Sequence, residues 1–139
     1  MSTLVSADEF FAGVIAALTQ ASVTQLRVSD DLDEKFERIF EEYVSLIGDK
    51  NITPTFSFKR SGVHGDSRRF RETLYAARFD GIVALENPTF YQMTSKLTPI
   101  EAAYFIKSVP EGDALSKVTC DIFADEIARS NFPSPVSNG

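Results

Sequence analysis

The chain has 139 residues, 43% of them hydrophobic and 24% charged, and it carries a formal net charge of -6. The length predicts one domain, which we assign to residues 1–129 with a flexible tail over residues 130–139, because typical domains contain roughly 100 to 150 residues. The acidic balance argues against a protein that is basic throughout, as general nucleic-acid binders are, and no apolar run approaches the roughly 20 residues of a membrane span, so we expect a cytoplasmic protein without a membrane partner.

The first half of the chain predicts two amphipathic helices. Ser6 and Glu9 form a capping-box pattern before a helix from about Ala7 to Gln20. The stretch from Ala21 to Val28 is compatible with a short edge strand or an ordered loop. A second helix begins at Ser29-Asp30-Asp31 and ends at Gly48, and one apolar stripe runs along it: Leu32, Phe36, Ile39, Phe40, Tyr43, Val44 and Ile47.

The middle of the chain predicts a strand, a helix and a β-hairpin in succession. After a connector over residues 49–54, apolar residues alternate in Phe56-Ser57-Phe58, which is typical of a half-buried strand. A turn-rich segment leads to a helix from Ser67 to about Phe79. The segments 82–85 and 90–93 then predict two short strands joined by a tight turn.

The last part of the chain predicts two further helices. Thr98 and Glu101 form a second capping box, with a proline at the first helical position. The helix from about Pro99 to Ser108 should present to the core Ile100, Ala103, Tyr104 and Ile106. The final helix, about Asp113 to Arg129, should bury Leu115, Val118, Ile122 and either Ile127 or Phe123.

Together these elements predict an α+β, winged-helix-like single domain. It should be mostly helical, with a small antiparallel sheet formed by one strand and a β-hairpin wing. A complete helix-turn-helix also has a helix directly before its recognition helix. The segment between Lys59 and Ser67 is loop-like, so this supporting helix is absent or replaced by a strand.

Charge is distributed unevenly along the chain. Residues 51–79 contain six basic and two acidic residues, whereas the segments on both sides are acidic. On an ideal helix, one exposed face would carry Arg68, Arg71, Tyr75 and Arg78, opposite the buried residues Phe70, Leu74 and Ala77. Three guanidinium groups and a phenol can bind phosphates and stack on bases. We therefore predict a non-enzymatic regulator that contacts nucleic acid through this face, extended by Lys59, Arg60 and His64.

A second interpretation assigns the same arginines to internal ion pairs. They would then pair with the acidic helix at residues 31–47 or with carboxylates of the last helix. The protein would be an interaction module that binds a partner chain, or a second copy of itself, and not nucleic acid. A large exposed apolar patch beside the first helix would favour this alternative.

A third interpretation is a small enzyme. Cys120 is the single cysteine and His64 the single histidine, and such residues can meet in space as a nucleophile and its base. Neither residue lies in a recognisable catalytic motif. No further His or Cys accompanies them to complete a zinc site, so we expect no metal and no cofactor.

The middle of the chain resembles small bacterial winged-helix-like domains that include the Panacea antitoxin domain. Members of that group have an F-x-F strand, a Gly-Pro-Tyr-Ser turn entering a helix, and a wing ending in Tyr-x-Leu-Thr. The corresponding segments here are Phe56-Ser57-Phe58-Lys59, Gly62 to Ser67, Gly81-Ile82-Val83 and Tyr91-Gln92-Met93-Thr94. The turn is longer by two residues, and Met93 replaces the leucine. The resemblance implies a binding or neutralising role and no catalytic residue.

Overall fold

A computed structural model describes residues 3–58, 68–85 and 92–131, and for Arg68, Ser130 and Asn131 it describes the backbone alone. Six helices lie in these ranges: α1 (Ala7–Gln20), α2 (Asp30–Ile47), α3 (Arg68–Phe79), α4 (Pro99–Ser108), α5 (Gly112–Ile122) and α6 (Ala124–Asn131). The strands are β1 (Thr3–Val5), β2 (Gln25–Arg27), β3 (Ile52–Pro54), β4 (Val83–Leu85) and β5 (Gln92–Ser95). The fold is mixed α+β and mostly helical, as expected.

The strands form two small sheets. β2, β5 and β4 form an antiparallel sheet in that spatial order, so the predicted antiparallel pairing of β4 and β5 is confirmed, and the undecided segment before α2 contributes an edge strand. The second strand lies at 92–95 and not at 90–93, and the predicted turn falls outside the described residues. Leu26 and Leu85 both lie opposite Met93, which is buried. β1 and β3 form a separate parallel pair.

Helix α1 is the centre of the core. It is buried on almost every side and packs against α3, α4 and α5. Small residues allow these neighbours to approach closely: an added Cβ at Gly13 would lie 3.0 Å from Leu115 Cδ2 and 3.1 Å from Val109 Cγ1. The capping box predicted from Ser6 and Glu9 is present, with both hydrogen bonds formed.

Aromatic rings join α1 to the rest of the core. Phe36 of α2 stacks on Phe11 of α1 at 5.5 Å and lies 4.4 Å from Phe70 of α3. Phe58 is also fully buried, and its ring contacts those of Phe10 and Phe70. This cluster fixes the helices by ring packing, since aromatic side chains bury large areas at low entropic cost.

The expected strand at Phe56-Ser57-Phe58 is wrong. Phe56 is half-buried, Ser57 exposed and Phe58 buried, so the alternation is real, but these residues pair with no strand in the described part of the chain. The strand lies earlier, at β3, in the segment expected to be a connector. The alternation reflects two rings that enter the aromatic cluster from an extended loop.

The two C-terminal helix predictions need correction. α4 has its predicted bounds and capping box, but it buries Ala102 and Ile106, while Ile100 and Tyr104 are 83% and 65% exposed. The small Ala102 faces the core because α4 packs closely on α1. The expected single last helix is divided into α5 and α6 at Phe123, whose ring is buried against Phe36.

Tyr43 links α2 to the turn between α4 and α5 by a hydrogen bond. Its hydroxyl donates a hydrogen bond of 2.5 Å to the Pro110 carbonyl. Burial of the phenol raises the pKa of Tyr43 to about 12, and the negative charges of Glu9 and Glu111 act in the same direction. The protonated phenol is therefore the form that the folded protein holds.

Candidate functional site

Helix α3 begins and ends close to where the sequence predicts, and it buries the predicted face. Phe70, Leu74 and Ala77 are buried, and so is Thr73, whose hydroxyl donates to the Arg69 carbonyl at 2.8 Å. The chain leaves the helix through Gly81, whose φ of +77° lies in the left-handed region that favours glycine. Because Phe70, Leu74 and Ala77 are buried, the other face of α3 is turned away from the core.

A buried carboxylate pairs with an arginine in the first part of that face. Asp33, in the first turn of α2, has no exposed surface and accepts three hydrogen bonds from Arg71. The Arg71 Nε atom lies 3.0 Å and 3.2 Å from the two carboxylate oxygens, and Nη2 lies 2.8 Å from Oδ1. Nη2 also lies 3.7 Å from an oxygen of Asp30. This bidentate arrangement is the strongest geometry available to an arginine.

Arg71 therefore follows the second interpretation of the arginines, since it pairs with the acidic helix. Its side chain keeps 25% of its surface exposed. Binding a phosphate through both its terminal nitrogens would require breaking contacts with a carboxylate that water does not reach. Arg71 links α2 to α3, and the candidate surface depends on other residues.

The exposed part of α3 is aromatic as well as cationic. Tyr75 is exposed, and Phe79, one turn later on the same face, is 85% exposed. The guanidinium carbon of exposed Arg78 lies 6.0 Å from the centre of the Phe79 ring. Arg69 lies 3.8 Å from Glu72 in an exposed pair along the helix. We call the exposed residues Tyr75, Arg78 and Phe79 the α3 face.

The remaining predicted site residues are only partly described. Arg68 is the first residue of α3, and its side chain lies outside the description. Lys59, Arg60 and His64 all fall in the segment 59–67, which is also outside the described residues. Of the predicted site residues, Tyr75 and Arg78 thus lie together on one exposed surface, and Arg71 forms an ion pair with Asp33 of α2.

Two residues of this region were missed from the sequence. Asp33 precedes Phe36 by three positions and so falls in phase with the apolar stripe of α2, which is a signal for a buried carboxylate that needs a cationic partner. In the sequence, Phe79 marks only the predicted end of the helix. Its spacing of four from Tyr75 could have placed it on the exposed face.

An apolar groove lies on another part of the surface, between the start of α1, the turn after α3, and α4. Its volume is about 460 Å³. Ala12, Ile82, Phe105 and Val109 provide its apolar lining, with Tyr104 beside them. The acidic residues Asp8, Glu9 and Asp80 also line it. We call this feature the α1–α4 groove.

A second depression, of about 430 Å³, lies beside the edge strand β2. Lys35 crosses it, with Nζ 2.7 Å from Glu126 and 3.0 Å from Asp31. Burial lowers the pKa of Lys35, but the hydrogen bonds that Lys35 donates to these two carboxylates, together with their negative charges, outweigh it and leave the pKa above its ordinary value. Lys35, Asp31 and Glu126 are thus paired with one another.

The geometry around Cys120 does not resemble an activated thiol. Cys120 lies on α5 and is half-buried. Burial raises the pKa of its thiol, and the charge of Asp121 raises it further, against a hydrogen bond from Ser116 that lowers it. A reactive cysteine requires the opposite direction. His64, its predicted partner, lies outside the described residues. Among those that are described, no cluster of His, Cys, Asp and Glu could hold a metal ion.

Comparison with known proteins adds no constraint on this surface. No protein-family model, curated protein or solved structure matches the chain. The resemblance to Panacea-type domains therefore stays a prediction. Within the ranges 3–58, 68–85 and 92–131, no helix has both the length and the apolar character needed to cross a membrane.

Proposed function

We propose that the protein is a winged-helix-like binding module that contacts nucleic acid through the α3 face, in a regulatory or antitoxin-like role. The observation that carries this proposal is topological. α1, β2, α2, α3, β4 and β5 follow one another along the chain, and the strands lie in the spatial order β2, β5, β4. A winged helix has this succession, with its first strand paired to its last and its third helix turned outward.

The route from α2 to α3 departs from the usual motif. A helix-turn-helix joins its two helices through about three or four residues, whereas residues 48–67 and strand β3 intervene here. A short turn would hold the two helices in a fixed relative orientation. Here the Asp33–Arg71 pair and the Phe36–Phe70 contact fix α3 against α2 instead. An insertion between the helices is therefore compatible with a rigidly held α3.

The chemistry of the α3 face suits a nucleic acid backbone and its bases. The Arg78 guanidinium can donate two hydrogen bonds to a phosphate. Tyr75 and Phe79 offer exposed rings on which a base or a sugar can pack. Few cations take part, so we expect modest affinity and a shallow dependence on salt for a nucleic-acid binder.

The test is fluorescence anisotropy with a labelled mixed-sequence DNA duplex, titrated at salt concentrations from about 50 to about 200 mM. Arg78→Ala should weaken binding and reduce the slope of log affinity against log salt by about one. Arg38→Ala is the matched control, because Arg38 is an exposed arginine on α2. The proposal fails if duplex DNA does not bind at the lowest salt, or if the two variants behave alike.

A protein partner is the second candidate function. The observation in its favour is the 85% exposure of Phe79, since a large exposed aromatic residue is typical of an interaction hot spot. In this case Phe79→Ser should abolish binding to the partner isolated with the protein from its own cell. Binding should then be insensitive to salt, and Arg78→Ala should have little effect on it.

A further inference from the structure

We propose that the α1–α4 groove is a docking site for a basic segment of a partner protein, one that carries one or two large apolar side chains flanked by Lys or Arg. Its volume of about 460 Å³ lies within the usual range for ligand pockets and accommodates one or two such side chains. Nothing in the nucleic-acid proposal depends on this groove, because it shares no residue with the α3 face.

The groove has an apolar lining that extends onto an exposed helix face. Ile82, Phe105 and Val109 contribute side chains to it, and the Tyr104 ring packs edge-on against Phe105 at 5.4 Å. Tyr104 remains 65% exposed, and Ile100, one turn earlier on α4, is 83% exposed. Large apolar side chains side by side on a surface are typical of an interaction site.

Charge determines which occupant fits. Asp8, Glu9 and Asp80 are three acidic residues of its lining, and among the described residues no Lys or Arg lines the groove. Glu9 accepts a hydrogen bond from the Ser6 backbone, whereas the carboxylates of Asp8 and Asp80 have no hydrogen-bond or ion-pair partner in the part of the chain that the structure describes. Cations flanking an apolar anchor would pair with them, and the net charge of -6 would attract such a segment over longer distances.

The same charges disfavour the other occupants. A symmetric dimer through this face would bring the carboxylates of Asp8 and Asp80 close to their copies, because a two-fold interface pairs each patch with itself. Like charges that face each other across an interface are repulsive. Nucleic acid would be repelled for the same reason. A cationic partner segment is thus the occupant that both the shape and the charge of the groove favour.

The test starts from a display library of random twelve-residue peptides, selected on the full chain at about 50 mM salt, where electrostatic attraction is strong. Selected peptides are then synthesised with a fluorophore, and their affinities are measured by anisotropy. The expected peptides combine an aromatic or aliphatic residue with two or more Lys or Arg residues.

Two pairs of neutralising substitutions separate the groove from the general field of an acidic protein. Asp8→Asn with Asp80→Asn should weaken the selected peptides about tenfold at this salt concentration. Glu41→Gln with Glu42→Gln removes the same charge from the exposed side of α2 and should change affinity less than about twofold. Tyr104→Ser should also weaken peptide binding about tenfold, because it removes an apolar wall, and should leave DNA binding unchanged.

Three results would overturn the proposal. The first is a selection that yields no binders, or binders without basic residues. The second is an equal loss of affinity in the two neutralised variants, which would assign the effect to net charge alone. The third is a protein that sediments as a dimer and becomes monomeric on Tyr104→Ser, because a second copy would then cover the groove.

Discussion

The contact between α2 and α3 gives the sharpest prediction, because a fully buried carboxylate and a partly exposed arginine depend on each other. Arg71→Ala removes all three hydrogen bonds that Arg71 donates to Asp33. Asp33 has no exposed surface, so water cannot replace them without a local rearrangement. The reverse substitution, Asp33→Ala, leaves a guanidinium that is already 25% exposed and lies 3.7 Å from Asp30.

The expected cost follows from this asymmetry. Removing one partner of a buried ion pair costs about 3 to 5 kcal/mol. We expect about 3 kcal/mol for Arg71→Ala and about 2 kcal/mol for Asp33→Ala, since the arginine that remains can be hydrated. In a chain of this size the first value corresponds to a fall in Tm of roughly 12 °C.

Urea unfolding followed by far-UV circular dichroism measures these values, since the chain has no Trp for fluorescence. Arg69→Ala is the matched control on the same helix. Arg69 and Glu72 are both about half exposed and 3.8 Å apart, so its loss should cost at most about 0.5 kcal/mol. The double variant of Asp33 and Arg71 should be less destabilised than the sum of the two single variants.

The reasoning is wrong if Arg71→Ala costs no more than Arg69→Ala. In that case the pair would not fix α3 against α2. A replacement of the pair by Leu at Asp33 and Met at Arg71 tests this contact further. It should restore most of the stability, because apolar residues of similar size can replace a buried ion pair.

Three further predictions concern the framework of the fold. Tyr43→Phe should lower the free energy of unfolding by about 1 kcal/mol at neutral pH, because it leaves the Pro110 carbonyl without its donor. The pKa of Tyr43 in the folded protein is about 12, above its ordinary value of 10, so above pH 10 the phenol ionises in the unfolded state first. The stability difference between wild type and variant should therefore be present below pH 10 and vanish by about pH 11, which urea unfolding of both proteins at each pH measures. Gly112→Ala would place a Cβ 1.7 Å from the Ile106 carbonyl oxygen, so it should lower the free energy of unfolding by about 3 kcal/mol or more. Gly48→Ala is its control, because Gly48 has a φ of -56° and no atom within 3.7 Å of the new Cβ, and it should be neutral or stabilising by about 0.5 kcal/mol in the same assay.

Local signals in the sequence predicted most of the helices. The two capping boxes at Ser6 and Thr98 fix the starts of α1 and α4, and both are present. Gly48 marks the end of α2, and Gly81 follows the end of α3. These features succeed because they depend on residues within one turn of each other, where backbone hydrogen bonding decides the structure.

Features that depend on distant residues were predicted less well. The prediction for α4 places Ile100, Ala103 and Tyr104 against the core, whereas Ala102 is buried and both Ile100 and Tyr104 are exposed. Ala102 faces the core because α4 packs closely on the small residues of α1. The sequence of α4 alone does not indicate this orientation. At the break between α5 and α6, the ring of Phe123 contacts that of Phe36, a residue far away in the chain. A hydrophobic pattern indicates which side chains can be buried, whereas close packing between helices determines which of them fit in the core.

The candidate site shows the same division between local and distant causes. The spacing of Arg71, Tyr75 and Arg78 correctly placed them on the side of α3 opposite Phe70 and Leu74. Helical periodicity carries no information on which of the arginines meets a carboxylate. Asp33 decides that.

The position of Asp33 also explains how one helix can serve both stability and binding. An arginine near the start of α3 is the member of its exposed face that the first turn of α2 reaches, whereas residues nearer the end of the helix lie farther from that contact. Arg71 meets α2 in this way, and Tyr75, Arg78 and Phe79 lie beyond it toward the hairpin. A helix fixed near its start presents its last turns in a defined orientation, which lowers the entropic cost of ordering them on binding. The internal ion pair that removes Arg71 from the surface is thus what orients the residues left on it.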